Sequence, residues 1–432
     1  MLTILGFGMV SCFMCLIMSK RLSALLALII VPIVFAVIGG FAADMGPMML
    51  DGIKKLAPTG VMLMFAILYF GVMIDAGLFD PVVHAILRVV KGDPLRVLVG
   101  TALLTLFVGL DGDGSTTYMI AISAFLPLYR RLGLNVLMLA CIVMLAVGVM
   151  NLTPWGGPLA RAASALHVEP SEVFVPMIPA ILFGAAAVVL LAALFGLRER
   201  ARVGVLELKD SDHDVQVIDE HRNIRRPKLL WVNAGLTLAL MTVLVMGVLP
   251  LPVLFMIGFA AALLINYPDL QMQRERIAAY ADSILAVVSL IFAAGIFTGI
   301  LGGTGMVEAM AKSFLDVLPP ELGPYLAVIT ALASLPFTFF MSNDAFYFGI
   351  LPVIAKVAAE YGFTAAEMAR ASLVGQPVHL LSPLVASTYL LLGLVKVEFG
   401  EHQRYTLGWA TLVCLAIMAG AIATGAFPLY RG

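Results

Sequence analysis

Residues 97–128 read VLVGTALLTLFVGLDGDGSTTYMIAISAFLPL, and this stretch decides how the chain is organised. Two apolar arms flank a polar sequence, Asp111 to Thr117. Crossing the ~30 Å hydrocarbon layer of a bilayer takes about 17–25 apolar residues, and each arm is shorter than that. Both outer ends are basic, with Arg96 before the arms and Arg130-Arg131 after them. Because basic residues gather on the cytoplasmic side, we predict a re-entrant hairpin at about 97–129 that enters from the cytoplasm and turns inside the membrane.

The whole chain has the composition of a membrane protein. Of its 432 residues, 62% are hydrophobic and 12% are charged, whereas about a quarter of a soluble domain is charged. We therefore predict an all-α membrane protein of about 10 full spans plus 2 hairpins. The net charge of −1 gives no reason to expect nucleic acid as a partner. The sequence contains no phosphate-binding loop, zinc-protease helix or nucleophile elbow, so we expect neither an ATP-driven pump nor an enzyme.

The chain divides into two halves with the same order of segments. We predict three spans, a hairpin, a broken span and a final span in residues 1–197, and the same order again in 229–432. In the first half, spans two and three are expected at about 22–43 and 59–78, with a polar loop between them. The segment 198–228 is rich in Lys and Arg, which places it in the cytoplasm and both termini outside. An odd number of crossings per half makes the predicted repeats inverted.

Each half also contains a span that helix breakers interrupt. In the first half, the broken span at about 134–166 is interrupted from Asn151 to Pro158, where prolines and glycines end the helix. In the second half, a hairpin at about 323–358 precedes a broken span at about 368–395, which is interrupted from Gly375 to Pro383. The two interruptions and the two hairpins fall in a common register, which supports the internal repeat.

The four breaks predict a single binding site of a secondary transporter. A break leaves amides and carbonyls unpaired at a depth where water cannot satisfy them. Helix N-termini at such breaks can hold an anion, and free carbonyls can hold a cation. The substrate is expected to contact Asp111, Asp113, Gly114, Ser115 and Thr116 of the first hairpin, Asn151, Thr153, Gly156 and Gly157 of the first broken span, Ser342, Asn343 and Asp344 of the second hairpin, and Gln376, His379 and Ser382 of the second broken span.

The acidic residues Asp111, Asp113 and Asp344 are the candidates for proton coupling or cation binding. Inserting an acidic side chain at the bilayer centre costs ~2.5–3.5 kcal/mol on insertion scales, so an acidic residue at that depth is a candidate for a functional role. A structural role stays open at each of the predicted positions. Polar residues near a break can simply cap the half-helices, and the glycines can simply permit tight turns or close packing.

Three further residues have two interpretations each. Asp75, near the end of span three, suits a cap or an interface as well as a role in transport. His379 is either a titratable group of the site or a buried histidine whose hydrogen bonds are satisfied. Arg161 either meets a carboxylate group or extends its charge to the membrane surface.

The motifs resemble those of a known family. Four stretches are similar to motifs of the citrate–metal:proton symporter family, CitMHS: Tyr69 to Pro81, Leu110 to Thr117, Asn151 to Pro158 and Met341 to Asp344. The resemblance extends over essentially the whole chain. It implies uptake of citrate as a complex with a divalent metal such as Mg or Ca, together with protons, across the bacterial inner membrane. It also implies membership of a larger superfamily of ion transporters with inverted repeats and paired re-entrant hairpins.

The resemblance further implies a homodimer, with a domain of hairpins and broken spans that moves like an elevator against a scaffold of the other spans. Citrate already chelates the transported metal, so no bound cofactor is expected, and Asp111 and Asp113 are the candidate contacts of that metal. Two other functions stay open. One is a sodium- or proton-coupled transporter of another carboxylate. The other is a cation/proton antiporter in which Asp111 and Asp113 bind the cation alone.

Overall fold

The computed structural model describes residues 1–19, 21–90, 92–205 and 224–431, and these residues form helices and connecting turns without a strand. Within these ranges, seven helices are long and apolar enough to cross a membrane. The prediction of an all-α, multi-pass membrane protein is therefore confirmed. The greater part of the predicted linker 198–228 lies outside the described residues.

The helices of the first half follow one another with short connections. Helix α5 continues into a 3-10 turn at Gly109–Asp111 before the chain reverses. The bounds are α1 Leu2–Met18, α2 Ala24–Ile38, α3 Met45–Asp75, α4 Asp80–Val90, α5 Pro94–Val108, α6 Gly114–Arg131, α7 Val136–Met150, α8 Gly157–Leu166 and α9 Pro170–Val203.

The second half begins with a 3-10 turn at Pro227–Leu229, and a π-helical turn at Ala345–Ile350 precedes α16. The bounds are α10 Leu230–Met246, α11 Leu251–Asn266, α12 Leu270–Ala279, α13 Ala281–Gly303, α14 Met306–Leu315, α15 Leu326–Phe340, α16 Leu351–Glu360, α17 Ala365–Ser372, α18 Gln376–His379, α19 Ala386–Val395 and α20 Phe399–Ala423. The inverted relation of the halves, the division into repeats and the count of about 10 spans stay predictions.

The predicted loop between spans two and three is wrong, because α3 already begins at Met45. Asp51, Lys54 and Lys55 are exposed along the first turns of α3, whereas Gly52 and Leu56 on the opposite face are buried. This spacing of about 3.6 residues is that of an amphipathic helix. The polar residues therefore extend the helix beyond its apolar span instead of ending it.

Helices α3 and α13 pack against each other through glycine. Gly295, Gly299 and Gly303 recur at every fourth position of α13 and face the first half of α3. A Cβ at Gly295 would lie 2.9 Å from the Ile53 amide nitrogen, and one at Gly299 would lie 3.2 Å from Gly52 Cα. Small residues let membrane helices approach closely enough for backbone contact. This pair joins the two halves of the chain.

The broken helix α7 lies in the interior, whereas α10 lies at the periphery. Every residue of α7 from Leu139 to Met150 is buried. In contrast, α10 buries only three of its 17 residues, and Trp231 at its start is 84% exposed. Exposed apolar side chains of this kind suit contact with lipid. Protein therefore encloses the break that follows α7, which is the setting that non-helical backbone requires at membrane depth.

We expect Gly299→Ala to destabilise the protein by about 1–3 kcal/mol, because the added methyl group would overlap the backbone of α3. Gly302→Ala on the same helix is the matched control, since a Cβ there meets no atom within 4 Å. The measurement is the apparent melting temperature of the purified protein in detergent. Equal melting temperatures for the two variants would contradict the proposed backbone contact.

Candidate functional site

The tip of the first hairpin is held against the first broken span. Gly112 reverses the chain with a φ of 77°, a left-handed conformation that favours glycine. A Cβ at Gly112 would also lie 2.6 Å from Trp155 Cδ1. The indole Nε1 of Trp155 donates a 2.8 Å hydrogen bond to the Leu110 carbonyl oxygen. Two of the predicted breaks are thus in direct contact.

Asp113 is the N-cap of α6. Its carboxylate accepts hydrogen bonds from the Ser115 amide at 3.0 Å and from the Thr116 amide at 3.2 Å. The Thr116 hydroxyl donates a further bond of 2.5 Å to the same side chain. A carboxylate at this position satisfies orphan amides and complements the helix dipole. The structure therefore places Asp113, Ser115 and Thr116 together in a capping arrangement at the tip, where Asp113 is exposed.

Asp111 is buried at the same tip and is only partly satisfied. Its Oδ1 accepts from the Asp113 amide at 2.9 Å and from the Thr117 hydroxyl at 3.3 Å. Its Oδ2 is buried and has no hydrogen-bond partner among the described residues. Leaving a buried carboxylate oxygen unpaired costs free energy, more so when the group is charged. A proton or an incoming cation would remove that cost, so Asp111 retains both predicted roles.

The first broken span presents donors to the interior. The connection from Asn151 to Gly156 forms a tight turn, in which the Gly156 amide donates a 2.8 Å hydrogen bond to the Thr153 carbonyl oxygen. Helix α8 then begins at Gly157 without a side-chain cap. Within the described parts of the chain, no acceptor meets the amides of Gly157 and Leu159. The hydroxyl of Thr153 is likewise buried without a partner there.

The second hairpin and the second broken span meet through a pair of amide side chains. Asn343 and Gln376 donate to each other's carbonyl oxygens, at 3.5 and 3.2 Å. Gln376 Nε2 also donates to the Tyr347 hydroxyl at 2.7 Å. Ser342 accepts from the Ala345 amide at 3.2 Å and so caps the π-helical turn. The amide pair fixes the tip of this hairpin onto the break that it faces.

His379 and Ser382 are buried in the second break, and each forms a hydrogen bond with a backbone group. His379 Nδ1 lies 2.6 Å from the Thr338 carbonyl oxygen, so this ring nitrogen carries the proton and donates. Ser382 Oγ accepts from the Leu384 amide at 3.2 Å. The interpretation of His379 as a buried histidine with a satisfied Nδ1 is the one that this geometry favours.

A partly buried ion pair joins the two halves at the centre of the site. Arg161 Nε on α8 lies 2.6 Å from Asp344 Oδ1 at the tip of the second hairpin, and the two side chains are 19% and 13% exposed. Nearby, a Cβ at Gly148 on α7 would lie 2.7 Å from Pro377 Cα, so the two broken spans also touch. Gly114 of the first hairpin lies close to Ser387 on α19. The breaks of both halves thus converge on one region.

Arg161 is one of the three residues for which the sequence left two interpretations, and the structure pairs it with a carboxylate. A signal for its importance is present in the sequence: Arg161 is the only Lys or Arg between Arg131 and Arg198. A lone cation within an apolar segment of that length is costly unless it has a partner. Its partner Asp344 is 183 residues away in the chain, which sequence pattern alone cannot reveal.

Asp75 lies outside this cluster. Its Oδ2 is 3.1 Å from Arg276 Nη1 on α12, and its Oδ1 is 3.0 Å from the Tyr280 hydroxyl. The same hydroxyl lies 2.9 Å from the Gly71 carbonyl oxygen. The contacts therefore favour the interface role of Asp75, at the packing of α3 against α12 and α13.

Two cavities border α8 on the side of α3 and α13. One, of about 290 Å³, lies between α8, α13 and α16 and includes Lys356. The other, of about 260 Å³, lies between the α8–α9 turn and α3 and includes Lys55. His167 lines both cavities. Over the described ranges, no cluster of three or more His, Cys, Asp or Glu side chains is arranged to hold a metal ion.

We expect Asp113→Ala to lower the stability of the protein by about 0.5–2 kcal/mol, because it removes the acceptors that cap α6. Asp113→Asn keeps one side-chain acceptor and should lose much less. Melting temperatures of the two variants in detergent test this cap. If Asn destabilised as much as Ala, the ionised carboxylate itself, and not the cap, would be the property that matters at this position.

The chain as a whole is similar to known transporters. A family model described as CitMHS, Citrate transporter, matches residues 10–375. The citrate transporter of Bacillus subtilis (strain 168) is 58% identical over 425 residues, which cover 98% of this chain and 99% of that protein. The Mg(2+)/citrate complex secondary transporter of the same organism is 53% identical over 434 residues, which cover 99% of this chain and 100% of that protein.

The fold has a counterpart among solved structures. The structure of Neisseria gonorrhoeae MtrF, described as one of a class of antimetabolite efflux pumps, superposes with a TM-score of 0.64 at 14% sequence identity. The match covers 90% of this chain and 85% of that chain. An identity this low shows a shared fold only, because one fold hosts many functions.

Proposed function

The chain belongs to the CitMHS family of citrate transporters, and we propose that it imports citrate as a complex with a divalent metal ion, coupled to protons, by alternating access. At the coarser level, it is a secondary transporter of citrate and not an enzyme. The observation that carries the finer proposal is the 53% identity, over both full lengths, to a transporter named for the Mg(2+)/citrate complex.

The donors at the four breaks suit a metal–citrate complex. Citrate presents several carboxylates, and the first broken span offers the Arg161 guanidinium group and the amides of Gly157 and Leu159, which lack an acceptor among the described residues. Asp111 adds a buried carboxylate oxygen that lacks a partner among the described residues. Carboxylate oxygens are the ligands that Mg²⁺ and Ca²⁺ prefer, and Mg²⁺ is usually held by only one or two protein carboxylates. The cargo would bring the rest of its ligands with it.

Proton coupling rests on the buried acidic residues. Asp111 and Asp344 are both buried residues at the converging breaks, whereas Asp113 is exposed and caps α6. A buried carboxylate alternates between a charged form and a neutral form as its surroundings gain or lose a counter-charge. We therefore assign proton transfer to Asp111 and Asp344 and structural capping to Asp113.

The position of α8 supports the proposal of alternating access. This helix belongs to the first broken span, packs against α3 and α13, and is bordered on that side by both cavities. Lys55, in the first half of α3, and His167, at the end of α8, lie on the side that the predicted topology places outside the cell. The proposed movement carries the hairpins and broken spans past the α3–α13 pair, as in an elevator. We further propose a homodimer in the bacterial inner membrane, with termini outside and the segment 198–228 in the cytoplasm.

The test is uptake of labelled citrate into vesicles that contain the purified protein, with an imposed proton gradient and a panel of divalent metals. We expect uptake that requires a metal, stops on addition of a chelator and falls when an ionophore collapses the gradient. Vesicles without protein give the background. Uptake of citrate that is unaffected by chelator would discard the metal complex as substrate.

Two other outcomes separate the remaining functions. Uptake that depends on sodium and not on protons would favour a sodium-coupled carboxylate transporter. Exchange of a cation for protons, with no binding of any carboxylic acid, would favour an antiporter in which Asp111 binds the cation.

A further inference from the structure

We propose that Arg161 binds a carboxylate group of the metal–citrate complex in exchange for Asp344, and that Asp344 takes up one proton as the exchange occurs. This inference rests on the proposed function and names the residue pair through which the site couples substrate to proton. Arg161 is thereby assigned as a substrate-binding residue, and Asp344 as its competitor in the empty site.

The guanidinium group of Arg161 has capacity for a second partner. Its Nε is bonded to Asp344 Oδ1 at 2.6 Å. Its two terminal nitrogens make no hydrogen bond to any residue that the structure describes, and the side chain is 19% exposed. A guanidinium carries five donors in a planar fork that matches a carboxylate in bidentate geometry. Asp344 occupies only one edge of that fork.

The position of the Arg161 guanidinium group also favours the binding of an anion. Arg161 Nη1 lies 2.7 Å from the place of a Cβ on Gly157, so it stands over the N-terminus of α8. A helix N-terminus carries partial positive charge, and the amides of Gly157 and Leu159 lack acceptors in the described chain. Two positive groups that face each other at low dielectric repel, and a carboxylate between them would bind both. Glycine at position 157 keeps the space open for that arrangement.

The other polar groups around Asp344 are occupied. His379 on α18 lies within electrostatic reach of both Arg161 and Asp344, but its Nδ1 donates to the Thr338 carbonyl oxygen. Tyr347 on the π-helical turn interacts electrostatically with Arg161, and its hydroxyl accepts a hydrogen bond from Gln376. Neither carries a fixed positive charge that could replace Arg161.

The charged groups on the neighbouring elements are remote or paired. Helix α1, which packs on the π-helical turn, contains no charged side chain. On α13 the charged residue is Asp282, in the first turn. On α16 the charged residues are Lys356, which pairs with Glu308 at 3.8 Å, and Glu360 at the last position of the helix. Arg161 is thus the cation that compensates Asp344 within the described part of the chain.

Charge balance then requires the proton. In the empty site the guanidinium and the carboxylate of Asp344 sum to zero. Citrate with three ionised carboxylates and a divalent metal carries one net negative charge, which Arg161 can neutralise if it leaves Asp344. An ionised Asp344 without a counter-charge at this depth would cost several kcal/mol. Asp344 therefore takes a proton from the outer solution onto its carboxylate, and it returns that proton to the inside when the complex leaves and the pair re-forms.

The test is binding of Mg–citrate to the purified protein in detergent, measured by titration calorimetry as a function of pH. Linkage predicts that the affinity of the unaltered protein falls by about tenfold per pH unit over the range in which binding takes up one proton. We expect Asp344→Asn to remove this tenfold change in affinity per pH unit, because the variant has no carboxylate to protonate. At alkaline pH it should bind Mg–citrate at least as tightly as the unaltered protein, because Arg161 then has no competing carboxylate. Arg161→Gln should lose binding, and Arg161→Lys should weaken it.

Asp75→Asn and Arg276→Gln are the matched controls. The side chains of Asp75 and Arg276 are 14% and 17% exposed, close to those of the Arg161–Asp344 pair, but their 3.1 Å ion pair lies outside the breaks. Neither control should change the pH dependence of Mg–citrate binding.

A second measurement needs no variant. Calorimetry in buffers of different ionisation heat reports the protons taken up by the unaltered protein when Mg–citrate binds. Close to one proton per complex is expected in the pH range where the affinity changes by tenfold per pH unit. Absence of proton uptake, or an unchanged pH dependence in Asp344→Asn, would overturn the exchange while leaving citrate transport in place. Failure of the unaltered protein to bind Mg–citrate would overturn the proposed function and this inference together.

Discussion

A helix interrupted inside a bilayer frees amides and carbonyls that protein or ligand must satisfy, and the rest of this structure depends on how that is done. The interior position of α7 keeps lipid away from the break that follows Met150. Trp155 closes one side of this break by its bond to the Leu110 carbonyl oxygen. The second half closes the other side, where Pro377 packs on Gly148. What stays open is the N-terminus of α8, and this is where we place the substrate.

Three acidic residues of similar sequence context have three different environments. Asp113 is exposed, and its carboxylate accepts hydrogen bonds from two backbone amides at the N-terminus of α6. Asp111, two residues earlier, is buried with one oxygen unpartnered among the described residues. Asp344 is buried against a guanidinium group. The environment sets the free-energy cost of ionising a carboxylate. The same residue type therefore caps a helix at Asp113, leaves an oxygen without a partner at Asp111 and forms an ion pair at Asp344.

Two partly buried ion pairs illustrate the same point at the level of function. Arg161–Asp344 and Arg276–Asp75 have similar exposures. Each guanidinium group also has a donor without a partner among the described residues, and for Arg276 this is Nε. The second pair lies beside Tyr280 at the packing of α3 against α13, so it joins helices that we assign to the scaffold. The first pair lies at the breaks, next to helix amides that lack an acceptor in the described chain, and this position is what distinguishes it.

The sequence by itself determined the all-helical membrane class, the family and the four places where helices are interrupted, because apolar length, glycine, proline and charge are local properties of the chain. It did not reveal that Asp51, Lys54 and Lys55 belong to α3, since the buried face that keeps them helical is supplied by α13. Only the tertiary structure decided which interruptions touch, that Asp113 caps α6, and that Arg161 meets Asp344. These depend on contacts between residues distant in the chain, whose partners are chosen by packing and by the cost of leaving charge unpaired in an apolar interior.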